Sequence, residues 1–322
     1  MRRLPYERAL LSRSPLLDAE GAVEADAPDT GVAAHYGHPM HEQRRLADGS
    51  GWTDLSHRDV VRVTGADRLA YLHAMTTQLF EGLQPGTWVD ALLLSPQGHV
   101  EHAFSGVDDG EAFVAHTEPG AGPVLVAFLE KMKFMMRVES RLDDSLAVIG
   151  HADGVELVAR ADLASLPATH GPPSGVEAYE ALRIAAGRPR MGRDNDHRSI
   201  PNELGLIAPD SSRAVHLTKG CYRGQETVAR VHNLGRPPRR LTLLLLDGSA
   251  DRLPAHGSDV MAEGRVVGRV GSSARHHELG PVALALVKRN TLPDATLVVD
   301  DVAAAQELVV DPNVGLHVRA MR

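Results

Sequence analysis

The side chains best suited to covalent chemistry lie together in residues 219–226, which read Lys-Gly-Cys-Tyr-Arg-Gly-Gln-Glu. Cys221 is the single cysteine of the chain, and flanking glycines allow close backbone approach or a positive φ. Lys219 and Arg223 each lie two residues from it, and the residues that follow predict the start of a short helix. Because nearby positive charges and the free N–H groups of a helix start stabilise a thiolate, the segment predicts a reactive thiol.

A single cysteine also fits a second interpretation, that of an inert buried small residue. The flanking glycines and the density of charge favour the reactive interpretation. A thiol protease or thiol transferase would in addition need a histidine held against Cys221. The chain has 17 histidines, so the sequence leaves the identity of such a partner open.

Periodic patterns predict an α+β region upstream of this segment. Thr64 lies three residues before Asp67, as in a capping box, and a helix through Met75 follows. Residues 95–98, Ser-Pro-Gln-Gly, predict a turn between two strands. The strand–helix–strand–strand–helix order is typical of a unit with an antiparallel sheet. The predicted strands are 60–63, 88–94, 99–105 and 113–115, and the second predicted helix is 122–133.

The remaining patterns predict a helix and then a separate β domain. Ser174 and Glu177 form a capping box that opens a helix through Ala186, which Gly187 ends. After Pro238, short strands follow at a spacing of about ten residues with glycine turns between them, which favours a small β-barrel. The predicted barrel strands are 241–246, 265–270, 282–287 and 296–299.

The chain has 322 residues, which exceeds the usual size of one hydrophobic core, so several structural units are expected. Residues 1–50 show no sustained period and predict an irregular N-terminal arm. Residues 51–236 predict the α+β region, made of two sub-units with a break near 140–150. Residues 237–322 predict the C-terminal β-barrel.

Composition and charge indicate which partners and which cellular location are expected. The net charge of −8 disfavours stable binding to nucleic acid. We expect no membrane association, because no run of eighteen apolar residues is present and no apolar stretch of a signal peptide follows the first residues. A lone thiol persists best in a reducing compartment, so a cytoplasmic location is predicted.

No metal site is predicted. His35, His38 and His41 recur every three residues, but Pro39 interrupts a helix that would align them, and no cysteine accompanies them. A single cysteine also cannot supply the four thiolates that an iron–sulfur cluster prefers.

Residues 219–226 resemble the Lys-Gly-Cys-Tyr-x-Gly-Gln-Glu signature of the YgfZ family, whose fold is shared with the aminomethyltransferase of the glycine cleavage system. Residues 180–189 are similar to the family's Glu-x-x-Arg-Ile-x-x-Gly-x-Pro segment, and residues 200–203 to its Ile-Pro-x-Glu step. Residues 63–67 and 72–77 look like its N-terminal pattern. The resemblance runs from about residue 54 into the barrel.

The resemblance implies an α+β folate-binding region followed by a β-barrel, with tetrahydrofolate or a derivative as bound ligand. It also implies a role in maintaining iron–sulfur enzymes, including those that thiomethylate tRNA; such enzymes or assembly proteins are the expected clients. Cys221 would carry the chemistry and Lys219 and Arg223 would tune its thiol, while Arg230 would pair with Glu226 or with an anionic folate tail. The expected folate-binding residues are Gly220, Tyr222, Arg223, Gly224, Gln225, Glu226, Arg230 and Arg183.

The chain departs from the aminomethyltransferases at their carboxylates. His102 and Ala103 align with the two aspartates of the enzymes, with Glu101 one place short, and Ala185 aligns with the glutamate that holds the pterin. A pterin without its acceptor would leave N–H groups unmatched, which disfavours the glycine-cleavage reaction. Whether the protein is an enzyme is left open. One alternative is a folate-dependent one-carbon transferase or demethylase acting on an amine, with Glu101 as base; another is a scaffold with a vestigial cavity.

Overall fold

The structure, a computed structural model, describes residues 13–208, 210–233, 235–250 and 252–312. The chain forms two compact units. The first contains residues up to 62 together with 114–132 and 140–182, and the second contains 63–113, 133–139 and the residues from 183 onward. These units interleave along the chain, whereas the sequence predicts consecutive domains with boundaries near 50 and 236. That division stays a prediction.

The described residues combine helices with antiparallel sheets, as an α+β fold requires. In chain order the strands are β1 (Val23–Glu24), β2 (Ala33–His35), β3 (Thr53–Asp54), β4 (Asp59–Thr64), β5 (Trp88–Leu94), β6 (Val100–Asp108), β7 (Ala112–Thr117), β8 (Glu139–Leu142), β9 (Leu146–Gly150), β10 (Val155–Ala159), β11 (Ile207–Ala208), β12 (Val215–His216), β13 (Arg239–Leu246), β14 (Asp259–Ala262), β15 (Arg265–His276), β16 (Gly280–Lys288), β17 (Leu297–Val299) and β18 (Val302–Leu308). The α-helices are α1 (Pro39–Ala47), α2 (Arg68–Met75), α3 (Gly122–Met132), α4 (Leu166–His170), α5 (Val176–Ala185) and α6 (Gln225–Asn233), with 3-10 helices at Pro15–Asp18, Arg160–Ser165 and Pro201–Glu203.

In the first unit, β9 lies at the centre of a three-stranded antiparallel sheet of order β10-β9-β3. The strand β9 reads Leu-Ala-Val-Ile-Gly and is buried over its last four residues, which explains its central place. Its apolar side chains pack in a core cluster formed by Leu16, Trp52, Ala147, Ile149, Leu163 and Leu166.

The predicted irregular arm is wrong over its described part, residues 13–50. The hairpin β1/β2 and the helix α1 lie there, and Pro39, which was expected to interrupt a helix, occupies its first turn. The buried carboxylate of Glu42 accepts hydrogen bonds from the N–H groups of Tyr36, His38 and Gly175. The partner at residue 175 is far away in sequence, so a local pattern could not reveal this support. Residues 1–12 of the predicted arm lie outside the described residues.

In the second unit, β5 and β6 form the predicted antiparallel hairpin. Residues 95–98 make its turn, with the N–H of Gly98 donating to the carbonyl of Ser95 at 2.9 Å. The helix predicted after Asp67 is α2, but the capping box is absent: the carboxylate of Asp67 accepts from the N–H and the guanidinium of Arg137.

The C-terminal barrel is confirmed. Six strands close in the order β13-β16-β15-β14-β17-β18, with β13 also paired to β18. The turn at Glu263 and Gly264 has φ values of 48° and 74°, as a tight hairpin requires. The sequence did not predict β14 and β18, because one is only four residues long and the other is built largely from alanine and polar residues. Residues 313–322 of the predicted barrel domain lie outside the described residues.

The helix α5 ends as predicted but begins differently. Gly187 follows it with φ of 65° and donates to the carbonyl of Ile184, as a C-terminal glycine does. At the start, the hydroxyl of Ser174 donates to the carbonyl of Glu42 rather than serving the expected capping box. Glu42 therefore holds both residues that precede the helix. Over the described residues, no helix is both long and apolar enough to cross a membrane.

Candidate functional site

Residues 219–226 connect β12 to the helix α6 within the second unit. The predicted short helix after the signature is thus confirmed, beginning at Gln225. Val228 is its one fully buried side chain among those described, and it packs with Leu92, Leu94 and Val100 of the β5/β6 hairpin. The packing of Val228 holds the helix against the hairpin, while Cys221 before it is exposed to solvent.

Lys219 fastens the front of the segment to the end of helix α2. Its residue is only 4% exposed, and its Nζ donates to the carbonyl of His73 and, at 2.6 Å, to that of Thr76. The carbonyls at a helix C-terminus have no partner inside the helix, and a cation satisfies both them and the helix dipole. Burial lowers the pKa of Lys219 to about 8, against a smaller opposing influence of Glu81.

Gly224 fastens the back of the segment to the turn at residues 95–98. Its φ is +81°, and an added Cβ would come within 2.5 Å of the carbonyl oxygen of Ser95. Gly98, with φ of +83°, faces Thr227 in the same way at 2.8 Å. Gly220 does not require a glycine for either reason. Its φ is not positive, and an added Cβ would lie 4.0 Å from its nearest atom, Nε2 of His73. Of the two flanking glycines, only Gly224 has the predicted backbone role.

Between these two anchors Cys221 is exposed as a free thiol. Tyr222 is half-buried beside it; the ring centroid lies 5.3 Å from Nζ of Lys219, and burial raises the pKa of its hydroxyl to about 12. The geometry presents the thiol to solvent on a backbone that is held at both ends.

Arg223 and Glu101 form an ion pair of 3.0 Å between the segment and strand β6, with both side chains about a third exposed. Glu101, the candidate base, is therefore already paired with the cation of Arg223. The neighbouring His102 is half-buried, and burial lowers the pKa of its imidazole. It is thus neutral near pH 7 and cannot replace a carboxylate as an anion.

The two other predicted cations differ in their surroundings. Arg230 and Glu226 are exposed on α6, and over the described residues no ion pair joins them. Arg183 is buried instead: it donates to Oδ2 of Asp194 at 2.8 Å and to Oγ of Ser272 at 2.8 Å. Within the second unit, Arg183 thus bonds to the loop that follows it and to strand β15, and its part in folate binding stays a prediction.

His73 is a neighbour of the segment that the sequence interpretation missed. Its Nδ1 accepts a hydrogen bond from the N–H of Phe80, and burial followed by the charge of Lys219 lowers the pKa of its imidazole. The signal available for His73 was its place in residues 72–77, which carry the family pattern.

Among the residues that the structure describes, no group of three or more histidine, cysteine or acidic side chains is placed to hold a metal ion.

Comparison with known proteins identifies this arrangement. The profile of the CAF17 C-terminal beta-barrel domain matches residues 239–309. The tRNA-modifying protein YgfZ of Edwardsiella ictaluri is 29% identical over 301 residues, which cover 89% of this chain and 83% of that protein. Over most of its length the chain is thus similar to a YgfZ protein, and its barrel matches the CAF17 C-terminal domain.

Two further likenesses agree with this family. The YgfZ of Escherichia coli O157:H7 is 37% identical over 140 residues, covering 42% of this chain and 41% of its own. The crystal structure of the glycine cleavage system aminomethyltransferase T from Bartonella henselae superposes with a TM-score of 0.77 at 15% identity, over 94% of this chain and 98% of that chain. The chain therefore has the aminomethyltransferase fold, as predicted.

Proposed function

We propose that this YgfZ-type protein binds tetrahydrofolate or a derivative and supports the assembly or repair of iron–sulfur clusters in the cytoplasm. The observation that carries the proposal is the exposed thiol of Cys221 on a segment anchored by Lys219 and Gly224. A thiol used for transfer must be reachable and held in place, and both conditions are met here. The similar YgfZ of Edwardsiella ictaluri is a tRNA-modifying protein, which supports an indirect role in tRNA thiomethylation.

The donors and acceptors near the segment suit a folate chemically. The aminopyrimidine of a pterin seeks carboxylate or carbonyl acceptors, and the glutamate tail seeks cations. Glu226 and Gln225 offer the first kind of group, while Arg223 and Arg230 offer the second. We infer that Gly220, Tyr222 and Gly224 shape the surface against which the ligand packs. Lys219 acts as a positioning residue, because its ammonium is occupied by two carbonyl groups.

Two measurements test the proposal. Calorimetry with tetrahydrofolate should give a saturable heat for the wild-type protein and for Cys221→Ala, because the thiol reacts rather than binds. In a bacterial strain lacking its own YgfZ, the wild-type gene should restore thiomethylated tRNA, measured by mass spectrometry, and Cys221→Ala should not. Full restoration by Cys221→Ala would refute the thiol role, and absence of any heat would refute folate binding.

The client is expected to be an iron–sulfur enzyme or an assembly protein. Cluster content of a radical thiomethylating enzyme, purified from strains carrying the wild type or Cys221→Ala, measures this directly. Lower iron and sulfide in the variant strain supports the client assignment. Equal content together with lost tRNA modification contradicts it.

A second candidate, a one-carbon transferase acting on an amine, is favoured by the aminomethyltransferase fold. It requires turnover that converts tetrahydrofolate to its methylene form with a carboxylate base. Glu101 is the carboxylate expected to act as that base, and its Oε2 already accepts from the guanidinium of Arg223 at 3.0 Å. Measurable folate binding without turnover of any methylamine would exclude this candidate.

A further inference from the structure

The turn between β3 and β4 in the first unit contains several buried polar atoms without a hydrogen-bond partner. The turn is held by two local bonds, from the N–H of Ser56 to Oδ1 of Asp54 and from the N–H of Arg58 to the carbonyl of Leu55. The atoms left without a partner are Oδ2 of Asp54, Oγ of Ser56, Nδ1 of His57 and Nε of Arg58. Buried polar atoms are normally paired, so their concentration in one turn indicates a ligand or ordered water.

Arg58 is the one cation among these groups, and its N–H groups need hydrogen-bond acceptors. The residue is 8% exposed, and among the described residues its buried Nε has no hydrogen-bond partner. One face lies over the ring of Tyr179, with Cζ 5.6 Å from the ring centroid. Gly150 makes room for that ring, because an added Cβ there would lie 2.8 Å from Cε2 of Tyr179. The ring stabilises the charge, but it offers no acceptor to the N–H groups in the guanidinium plane.

The neighbouring groups do not supply the missing anion. Asp29 binds Nε2 of His57 at 2.9 Å. The charge of Asp54 acts on Tyr36 and Arg160. Burial, followed by the charge of Arg58, lowers the pKa of the fully buried His116 to about 3, so this imidazole is neutral near pH 7. Among the described residues, Arg58 thus has an aromatic support on one face and no acceptor for its buried Nε.

We propose that Arg58 binds an oxyanion, the carboxylate or phosphate group of a small molecule, at this turn. A buried charge is costly unless it is paired and hydrogen-bonded. The planar fork of a guanidinium matches two oxygens of a carboxylate or phosphate, and stacking on Tyr179 holds that fork in one plane. The site goes beyond the function proposed above, since all its residues lie in the first unit and none belongs to residues 219–226.

The test uses full-length Arg58→Met, Arg58→Lys and a control, Arg141→Met. Arg141 lies in the same unit but is exposed, so the control loses the same charge without touching the turn. Thermal midpoints are measured against sodium phosphate, and against sodium acetate, each balanced with sodium chloride at constant ionic strength. The wild type and Arg141→Met should be stabilised by at least one of the two anions, with Arg58→Met showing a Kd weaker by about tenfold or more and Arg58→Lys in between.

Two ligands identify the source of the oxyanion. If it is the carboxylate of a folate, Arg58→Met should weaken tetrahydrofolate about tenfold and leave 6-methyltetrahydropterin, which has no carboxylate, unchanged. If it is a phosphate, only the phosphate response should change. Should tetrahydrofolate bind none of the proteins, the function proposed above fails, while the phosphate and acetate responses still decide the role of Arg58.

The proposal is overturned if Arg58→Met responds to phosphate, acetate and tetrahydrofolate as the wild type does. If Arg58→Met does not fold, Arg58→Lys and calorimetry of the wild type decide the question. The proposal is also overturned by two results together: neither phosphate nor acetate stabilises the wild type, and Arg58→Lys binds tetrahydrofolate as tightly as the wild type does.

Discussion

Lys219 in the second unit and Arg58 in the first are both buried cations, yet their surroundings differ. Lys219 has two carbonyl oxygens at the end of a helix within hydrogen-bond distance, whereas Arg58 has, among the described residues, an aromatic ring on one face and no acceptor for its Nε. The first arrangement is complete without a ligand and fixes the backbone around Cys221. The second is incomplete, so it favours binding. A buried charge therefore indicates a ligand site only where the protein itself leaves the charge unsatisfied.

The largest expected effect concerns how firmly the Cys221 segment is held. Gly224→Ala should lower the free energy of unfolding by about 2 kcal/mol or more, because Ala disfavours a positive φ and its Cβ would overlap the carbonyl of Ser95. The matched control Gly220→Ala should change it by less than about 0.5 kcal/mol, since the space around residue 220 is open. Urea denaturation measures both. Equal losses would show that Gly224 is not the anchor.

Lys219→Met comes next. The variant keeps the length of the side chain but leaves the carbonyls of His73 and Thr76 without their donor, so we expect a loss of about 1–3 kcal/mol. Its tetrahydrofolate affinity should fall as well, because the segment loses its front anchor. If Lys219→Met is as stable as the wild type, the hydrogen bonds from Lys219 to these two carbonyls do not stabilise the protein.

The same pair of proteins gives a pH test. Burial lowers the pKa of Lys219 to about 8 from an ordinary 10.5, so between these values the unfolded chain binds more protons than the native protein. The stability of the wild type should then rise with pH across that window relative to Lys219→Met, which has no such group. Parallel denaturation series at pH 7.5 and 10 measure the difference. A gap that moves in the other direction would contradict the direction of the pKa shift.

A smaller effect is expected for the aromatic support of Arg58. In a double-mutant cycle of Arg58→Met and Tyr179→Leu, the coupling free energy should be about 0.5–1 kcal/mol in favour of the native pair. Tyr179→Phe serves as control, because it keeps the ring and should keep the coupling. A coupling of zero would mean that the ring does not stabilise the guanidinium.

The smallest effect is expected for the exposed ion pair. Glu101→Gln should lower stability by at most about 1 kcal/mol, because both Glu101 and Arg223 remain in contact with solvent. Raising the salt concentration should shrink the difference further. If Glu101→Gln lost much more stability than this, and the loss did not depend on salt, the ion pair would behave as a buried pair and not as an exposed one.

Much of the fold could be predicted because it is encoded locally. The strand β5 forms as predicted and is followed by a Ser-Pro-Gln-Gly turn, and the helix α5 ends near a glycine with positive φ. The N-terminal arm could not be predicted, since α1 is largely polar and its support comes from the bonds between Glu42 and Gly175. In the candidate site, the signature around Cys221 was evident, but the carbonyl partners of Lys219 were not.

By itself the sequence determined the family resemblance, the α+β order, the barrel and the single thiol, because periodicity, turn residues and a contiguous signature are properties of neighbours in the chain. Only the tertiary structure decided which charges are satisfied. Lys219 donates to the carbonyls of residues 73 and 76, Arg183 donates to Asp194, and Arg58 lies over the ring of Tyr179 while its Nε has no partner among the described residues. Burial and partners that are distant in sequence arise from packing, and no local pattern of residue types specifies them.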